Sequence, residues 1–212
     1  LRVYYYKRDL SSFYLMKSDP FIVLSRKVPE LLTNLRKDNH PIIFEGLHCT
    51  AYLADESLSD RFRMVRTHNI EHLYYDQLSA VEKNIFRKVF YRNESRKLKK
   101  YEQILEKASV LLAISPGDDR YFSSKYGKSI FVGPFHPSEN CTSLNGKGNY
   151  ILLHGDFSTA ENNASALFLL RHVISRWKYP TIIAGKRPSH ELLDKAAGLR
   201  NVTVISNPSG IK

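Results

Sequence analysis

Cysteine is scarce in this chain of 212 residues, since only Cys49 and Cys141 are present. They lie far apart in sequence and fit no spacing typical of metal or redox sites, which argues against chemistry based on thiols. A reducing compartment is the simplest setting for such a chain. We therefore expect a cytoplasmic protein in which either cysteine is an ordinary buried thiol.

Long apolar runs are absent as well. No stretch approaches the roughly 18 consecutive apolar residues that a membrane-spanning helix needs. The first residues, Leu1 to Tyr6, include Arg2 and lack the apolar centre of a signal peptide. These features predict a soluble protein.

Acidic residues are outnumbered, with 21 Asp and Glu against 32 Lys and Arg, which gives a formal net charge of +11. Such a balance favours an anionic partner: a nucleotide phosphate, an acidic membrane surface or a nucleic acid. The excess is greatest between Lys83 and Lys107, in a segment with helical periodicity. Its basic side chains form either an ordinary solvated helix face or a contact with an anionic membrane. Its apolar residues, among them Ile85, Phe86 and Val89, are expected to contact the core.

Apolar segments with strand and helix character alternate along almost the whole chain, which is the pattern of an α/β protein. We expect parallel sheets covered by helices on both faces. The predicted strands are Val3–Tyr6, Ile42–Phe44, Phe62–Arg66, Val110–Ile114, Ile130–Val132, Tyr150–Leu153, Thr181–Ala184 and Val202–Ile205. The predicted helices are Val28–Asp38, a short one through Leu53, Ile70–Leu78, Val81–Ala108, one starting at Ser115, Asn162–Ile174 and His190–Ala197.

Residues 134–149 are rich in Pro, Ser, Asn and Gly and lack periodicity, which is typical of a linker. The alternation of strands and helices then begins again. We therefore predict two Rossmann-like domains, at 1–136 and 149–212, joined by a linker at 137–148. The second region holds about half of a mononucleotide-binding fold, so we expect the sequence to be a fragment.

Polar residues follow two neighbouring predicted strands at their carboxyl ends, where ligands bind in open α/β sheets. Glu45 and His48 follow the first of these strands. The set at the end of the second strand is Arg66, His68, Asn69, Glu71 and His72. Adjacent parallel strands would bring both sets to one edge of the sheet, where imidazoles and carboxylates can orient sugar hydroxyls or transfer protons.

Two other interpretations of this cluster remain open. Asn69 is a suitable cap for a helix beginning near Ile70, in which case the other side chains are simply solvated. His68 and His72, four residues apart, could bind a metal on one helix face only if both lay inside the helix, and no HExxH pattern is present. We therefore expect no metal at this site.

Two strand ends in the second predicted domain have features of a phosphate site. Gly155 and Asp156 follow one strand and precede a helix with Asn162 near its start. A glycine permits close approach of a ligand to the backbone, and the amino end of the helix offers amide groups. The residues after the next strand are Gly185, Lys186 and Arg187. Their two cations suit a diphosphate, although both segments can also be read as ordinary turns with exposed charges.

Together these features resemble a group 1 glycosyltransferase (family 4) of the GT-B fold, over nearly the full chain. The segments that carry the resemblance are PIIFEGLH at 41–48, RTHNIEHLYY at 66–75, KKYE at 99–102, AISPGD at 113–118, IFVGPF at 130–135 and YILLHGDFSTAENN at 150–163, followed by 182–185 and 201–205. Their order and spacing are more specific than any one of them.

The resemblance implies transfer of a sugar from a nucleotide diphosphate, such as a UDP- or GDP-sugar, to a glycan or lipid-linked acceptor. Such enzymes usually retain the anomeric configuration and need no cofactor or essential metal. The acceptor would bind mainly to the first domain and the donor mainly to the second. By motif match, His68 and Glu71 would be the catalytic residues, with His68 polarising the transferred sugar and Asn69 and Glu45 in support.

The sequence also departs from the family pattern. A glycine-rich loop after a first strand is missing, and the family's pair of glutamates in the second domain does not occur before Lys212. We therefore expect a fragment that is inactive by itself. Asp156 and either Asn162 or Asn163 stand where many members have Arg and Lys, so that Lys186 or Arg187 would have to compensate.

Two other functions are compatible with the sequence. A non-hydrolysing nucleotide-sugar epimerase shares the two-domain architecture. A basic nucleic-acid-binding module belongs to a different class, and Tyr4 to Tyr6 beside Lys7 and Arg8 is its best feature. Because no recognition-helix motif or aromatic stacking platform is present, we expect no nucleic acid partner. For the basic helix we retain peripheral contact with the inner face of an anionic membrane.

Overall fold

The computed structural model describes residues 2–135, 140 and 145–209. Within this part of the chain, helices connect parallel strands in two separate sheets, one of four strands and one of three. The predicted α/β class with parallel sheets is thus confirmed. The predicted linker at 137–148 lies outside the described residues, apart from Asn140 and 145–148.

The chain divides into two compact units. The first comprises the described residues of Leu1–Ala80 and Asn84–Pro137, and the second those of Val81–Lys83 and Ser138–Lys212. Across the described residues of both units, every helix is too short or too polar to cross a lipid bilayer.

The first unit is built on four parallel strands in the order β1-β2-β3-β4. These strands are β1 (Ile42–Glu45), β2 (Arg63–Thr67), β3 (Val110–Ala113) and β4 (Ser129–Phe131). The helices are α1 (Phe21–Leu24), α2 (Pro29–Leu35), α3 (Glu71–Val81), α4 (Ile85–Tyr101) and α5 (Pro116–Tyr126). Short 3-10 helices occupy Ser12–Met16, Leu47–Tyr52, Glu56–Leu58 and Glu102–Lys107.

One face of this sheet forms the core. Phe44, Val65 and Leu111 are partners in register on three adjacent strands, and all three are buried against the helices. On the opposite face, Ile43 and Ile130 are more than half exposed. The expected layer of helices over both faces is therefore not found among the described residues of this unit. The reason is the strand order, because right-handed crossovers between strands that follow each other across a sheet place successive helices on the same side.

The long basic helix is shorter than predicted. The prediction of one helix over Val81–Ala108 is wrong, because the Asn84 side chain accepts hydrogen bonds from the Phe86 and Arg87 amides and so starts α4 at Ile85. At its other end, α4 gives way to the 3-10 helix Glu102–Lys107. The expected core contact of its first apolar residues is also wrong, since the Phe86 side chain is 82% exposed.

The predicted strand at Val3–Tyr6 is wrong as well. It pairs with no strand of the described residues, and Tyr5 is almost fully exposed. The Tyr6 hydroxyl instead accepts a hydrogen bond of 2.5 Å from the Asn34 amide in α2, and the Lys37 ammonium lies 5.6 Å from the centre of the Tyr4 ring. The aromatic residues of this segment therefore line the surface of a helix rather than extend a sheet.

The second unit is a βαβαβ arrangement with the strand order β5-β6-β7. Its elements are β5 (Ile151–Asp156), α6 (Ala160–His172), a 3-10 helix (Ile174–Arg176), β6 (Thr181–Lys186), α7 (His190–Ala197) and β7 (Val202–Ser206). Leu153, Ile183 and Val204 are partners in register and pack with Leu170 and Leu192 of the two helices. The predicted strands and helices of this region are confirmed, and β5 and β6 extend further than predicted.

Candidate functional site

The first cluster of polar residues lies where β1 and β2 end. The two strands are parallel neighbours, and Glu45 and Arg66 are partners in their register. The Gly46 amide continues the pairing by donating a hydrogen bond of 2.8 Å to the Arg66 carbonyl. The predicted convergence of these two strand ends is therefore confirmed.

Glu45 is the centre of this cluster. Its Oε1 atom lies 2.5 Å from Nε2 of His68 and accepts a hydrogen bond of 3.0 Å from the Arg66 guanidinium. Partial burial raises the pKa of Glu45, but the His68 hydrogen bond and the Arg66 charge outweigh it and keep the pKa below its usual value. The carboxylate is therefore ionised at neutral pH and fixes the orientation of the His68 ring.

A second histidine, His48, lies beside the first. It lies two residues after Gly46, which has a φ of +88°, a conformation that glycine adopts readily and other residues rarely adopt. A Cβ atom at Gly46 would also collide with the His48 ring. The ring centres of His48 and His68 are 6.3 Å apart. The close turn at Gly46 thus brings the imidazole of a short 3-10 helix next to the strand ends.

Glu71, the first residue of α3, forms an ion pair with His48. Its Oε1 atom lies 3.9 Å from Nδ1 of His48, and its side chain is only 7% exposed. The neighbouring Cys49 side chain and then Glu71 raise the pKa of His48 to about 9. Burial and the Arg26 charge oppose this shift without cancelling it. His48 therefore carries a proton at neutral pH and places a positive charge beside His68.

His72 lies away from the other members of the predicted set. Its ring is buried, with Nδ1 3.1 Å from Oε2 of Glu102. The other oxygen of that carboxylate accepts hydrogen bonds from the Tyr121 hydroxyl at 2.9 Å and the Lys125 ammonium at 2.5 Å. His72 therefore belongs to an internal network that joins α3, α5 and the end of α4, while Asn69 is exposed between β2 and α3.

His68 and His72 do not share a helix face. His68 precedes α3, whereas His72 lies inside it. Among the described residues, no group of three His, Cys, Asp or Glu side chains is arranged to hold a metal ion.

The second candidate site is a small cavity in the second unit, at the carboxyl ends of β5 and β6. It has a volume of about 250 Å³. Its lining residues are His154, Gly155, Asp156, Gly185, Lys186 and Pro208. The first five of these residues lie in the last positions of β5 and β6, and Pro208 follows β7. A ligand site at the carboxyl ends of parallel strands is what the sequence predicts.

Two glycines allow the close packing of this cavity. A Cβ atom at Gly185 would collide with the Gly155 carbonyl and with the Phe157 ring. A Cβ atom at Gly155 would lie 3.4 Å from the Asn162 side-chain amide, which itself donates a hydrogen bond of 3.0 Å to the Asp156 carbonyl. Asn162 therefore holds the turn that leads into α6.

The charged residues of this cavity differ in their availability. Asp156 accepts hydrogen bonds from the Ser158 hydroxyl and amide, and it forms an ion pair of 3.2 Å with Arg187. The Ser158 hydrogen bonds, followed by Arg187, lower the pKa of Asp156 to about 2. Arg187 thus pairs with Asp156 and is not among the lining residues. Lys186 is the basic side chain that lines the cavity.

Neither a protein-family model nor a curated protein sequence matches this chain. The resemblance to the glycosyltransferase family therefore stays a prediction, and the parallel-sheet α/β architecture is what the structure establishes.

The structure adds three residues to the surroundings of the first cluster: Arg26, Cys49 and Phe135. Arg26 and Cys49 both influence the charge on His48, and the Arg66 guanidinium lies 5.5 Å from the centre of the Phe135 ring. Cys49 directly follows His48 in the sequence, and this adjacency indicates that the two side chains can interact. Arg26 lies in a segment without any motif, so only its position in the fold reveals its role.

Proposed function

We propose that this protein is a glycosyltransferase that moves a sugar from a nucleotide diphosphate donor to a glycan or lipid-linked acceptor. The observation that carries the proposal is the contact of His68 and Arg66 with one carboxylate oxygen of Glu45 at the ends of two parallel strands. An imidazole oriented by a carboxylate is suited to bind and polarise sugar hydroxyls. The carboxyl ends of strands are also where such ligands bind in α/β sheets.

The cavity of the second unit supports the donor half of the proposal. Its volume of about 250 Å³ lies just below the range of roughly 300–1,000 Å³ that is typical of small-molecule pockets. It therefore fits part of a ligand, such as the diphosphate of a nucleotide sugar. Lys186 lines the cavity and supplies a cation for the phosphates.

In the proposed reaction, the acceptor oxygen forms a bond to the anomeric carbon while the bond from that carbon to the phosphate oxygen breaks. The acceptor hydroxyl proton passes to the departing phosphate oxygen, and the nucleoside diphosphate leaves. His68 keeps Nε2 on Glu45, and its Nδ1 atom makes no hydrogen bond to any described residue. Nδ1 is thus the atom assigned to a sugar hydroxyl, and the protonated His48 lies beside it, with its ring centre 6.3 Å from that of His68.

Retention of configuration and independence from metal are part of the proposal through the family resemblance. Within this scheme His68 is a polarising residue, and Glu45 positions it. Glu71 acts on the reaction through its ion pair with His48.

The test is transfer of labelled sugar by the full natural chain, with UDP- and GDP-sugars as donors and a glycan and lipid extract as the source of acceptor. We expect His68→Ala to lower turnover by roughly 100-fold or more while donor affinity changes by less than about twofold. The matched control is His40→Ala, because His40 is an exposed histidine of the same unit outside the cluster.

Equal activity of the two variants would overturn the role given to His68. Product formation from the nucleotide sugar without any acceptor would favour the epimerase instead. RNA binding that is sensitive to salt, together with no response to UDP or GDP, would favour the nucleic-acid-binding module.

A further inference from the structure

Three apolar side chains in the first turns of α4 are largely exposed among the described residues. Ile85, Phe86 and Val89 are 63%, 82% and 62% exposed. Only from Glu94 onwards does the helix bury side chains in the first unit. Contiguous apolar side chains of this size at a surface are characteristic of a binding site rather than of ordinary solvent exposure.

A second segment of the same unit extends this surface. The 3-10 helix Ser12–Met16 contributes Leu15, which lines a groove of about 370 Å³ together with Phe86 and Val89. Met16 of the same short helix is 83% exposed. The Lys97 ammonium of α4 donates a hydrogen bond of 3.0 Å to the Leu15 carbonyl, which fixes the short helix against α4.

Positive charge borders the apolar groove. Arg92 and Arg96 line it directly. The basic residues of α4 are Arg87, Lys88, Arg92, Arg96, Lys97, Lys99 and Lys100. Its one acidic residue, Glu94, is buried and engaged with Lys97 at 3.1 Å and with the Phe21 amide at 2.7 Å. Arg92 and Arg96 therefore give the apolar groove a positive border.

We propose that this surface, formed by Leu15, Met16, Ile85, Phe86, Val89, Arg92 and Arg96, docks the protein on an anionic lipid bilayer. We call it the docking face. The apolar side chains enter the boundary between headgroups and acyl chains, and the arginines contact lipid phosphates, as in interfacial amphipathic helices. A second copy of the chain is a poorer occupant, because pairing two docking faces would bring like charges together. This inference is independent of the sugar-transfer reaction.

Co-sedimentation with lipid vesicles tests the docking face. We expect the full chain to bind vesicles that contain phosphatidylglycerol and to bind pure phosphatidylcholine vesicles much more weakly. The charge variant Arg92→Glu with Arg96→Glu and the apolar variant Phe86→Ser with Val89→Ser should each weaken binding by roughly tenfold or more. High salt should screen the attraction between the arginines and the lipid phosphates and so weaken vesicle binding. The binding that remains in high salt should depend on Phe86 and Val89.

Matched controls lie in the second unit. Phe168→Ser removes an exposed aromatic residue from α6, and Lys195→Glu reverses an exposed charge on α7. Both should leave vesicle binding unchanged, and far-ultraviolet circular dichroism should be the same for every variant because all these side chains are exposed. The proposal would be overturned by equal binding to both vesicle types or by equal losses of binding in the control variants. It would also be overturned if the protein self-associated and the variant Phe86→Ser with Val89→Ser abolished that self-association.

Discussion

Glu45 is the residue on which the first cluster depends, because a single carboxylate oxygen contacts both His68 and Arg66. Its neighbours could be predicted, since two parallel strands that are adjacent must end beside each other. The position of His72 could not be predicted in the same way. At the second position of α3 its side chain points to the buried Glu102, and this direction depends on how α3, α5 and the end of α4 pack together.

His48 gives a prediction on pH and stability. Its pKa is raised to about 9 in the folded protein, against an ordinary value of 6.5. Protonated His48 therefore stabilises the fold fully below pH 6.5, and this contribution is lost as the pH rises through about 9. We expect the free energy of unfolding of the wild type, measured with urea, to fall by about 1–3 kcal/mol across this window relative to His48→Gln.

His40→Gln is the control for this measurement, and it should follow the pH dependence of the wild type. If His48→Gln and the wild type lose stability in parallel between pH 6.5 and pH 9, then His48 does not carry the proton that the structure assigns to it.

At the scale of elements, the strand ends matter more than the helices for both candidate sites. The short connection from β1 through Gly46 to the 3-10 helix Leu47–Tyr52 brings His48 to the cluster. A short helix after β1 was predictable from the sequence, and so was the cap of α5 at Ser115. The core contact of the first turns of α4 was wrongly predicted, because their apolar residues have helical spacing and yet remain exposed. Periodicity indicates a helix, but it does not say what the apolar face contacts.

Gly46→Ala tests the turn that places His48. The backbone conformation at Gly46, with φ +88° and ψ 155°, is essentially restricted to glycine, and the added Cβ atom would also collide with the His48 ring. We expect a loss of about 2–4 kcal/mol in the free energy of unfolding, measured by urea denaturation.

Gly127→Ala is a matched control, because Gly127 also has a positive φ, of +67°, but no atom lies within 4 Å of its added Cβ. It should cost about 1 kcal/mol. A loss at Gly46 no greater than that at Gly127 would mean that the His48 ring is free to move away from Gly46.

At the scale of the whole molecule, the alternation of strands and helices was sufficient to predict two parallel sheets. It did not reveal that helices cover one face of the first sheet, because that follows from the order of the strands across the sheet and not from their order along the chain. Val3–Tyr6 has the composition of a strand, but Tyr6 contacts Asn34 of α2 and Tyr4 lies near Lys37, just after that helix. The cavity at the ends of β5 and β6 agrees with the predicted position of Gly155 and Gly185, whereas the ion pair of Asp156 with Arg187 required the structure.

The central claim is that this protein recognises the diphosphate of a nucleotide sugar through the cavity of its second unit. Isothermal titration of the full chain with UDP and with GDP tests it most directly. We predict binding of at least one of them, weakened about tenfold by Lys186→Ala and unchanged by Lys195→Ala or His68→Ala. Absence of binding to both nucleotides, or equal affinity of wild type and Lys186→Ala, would contradict the claim.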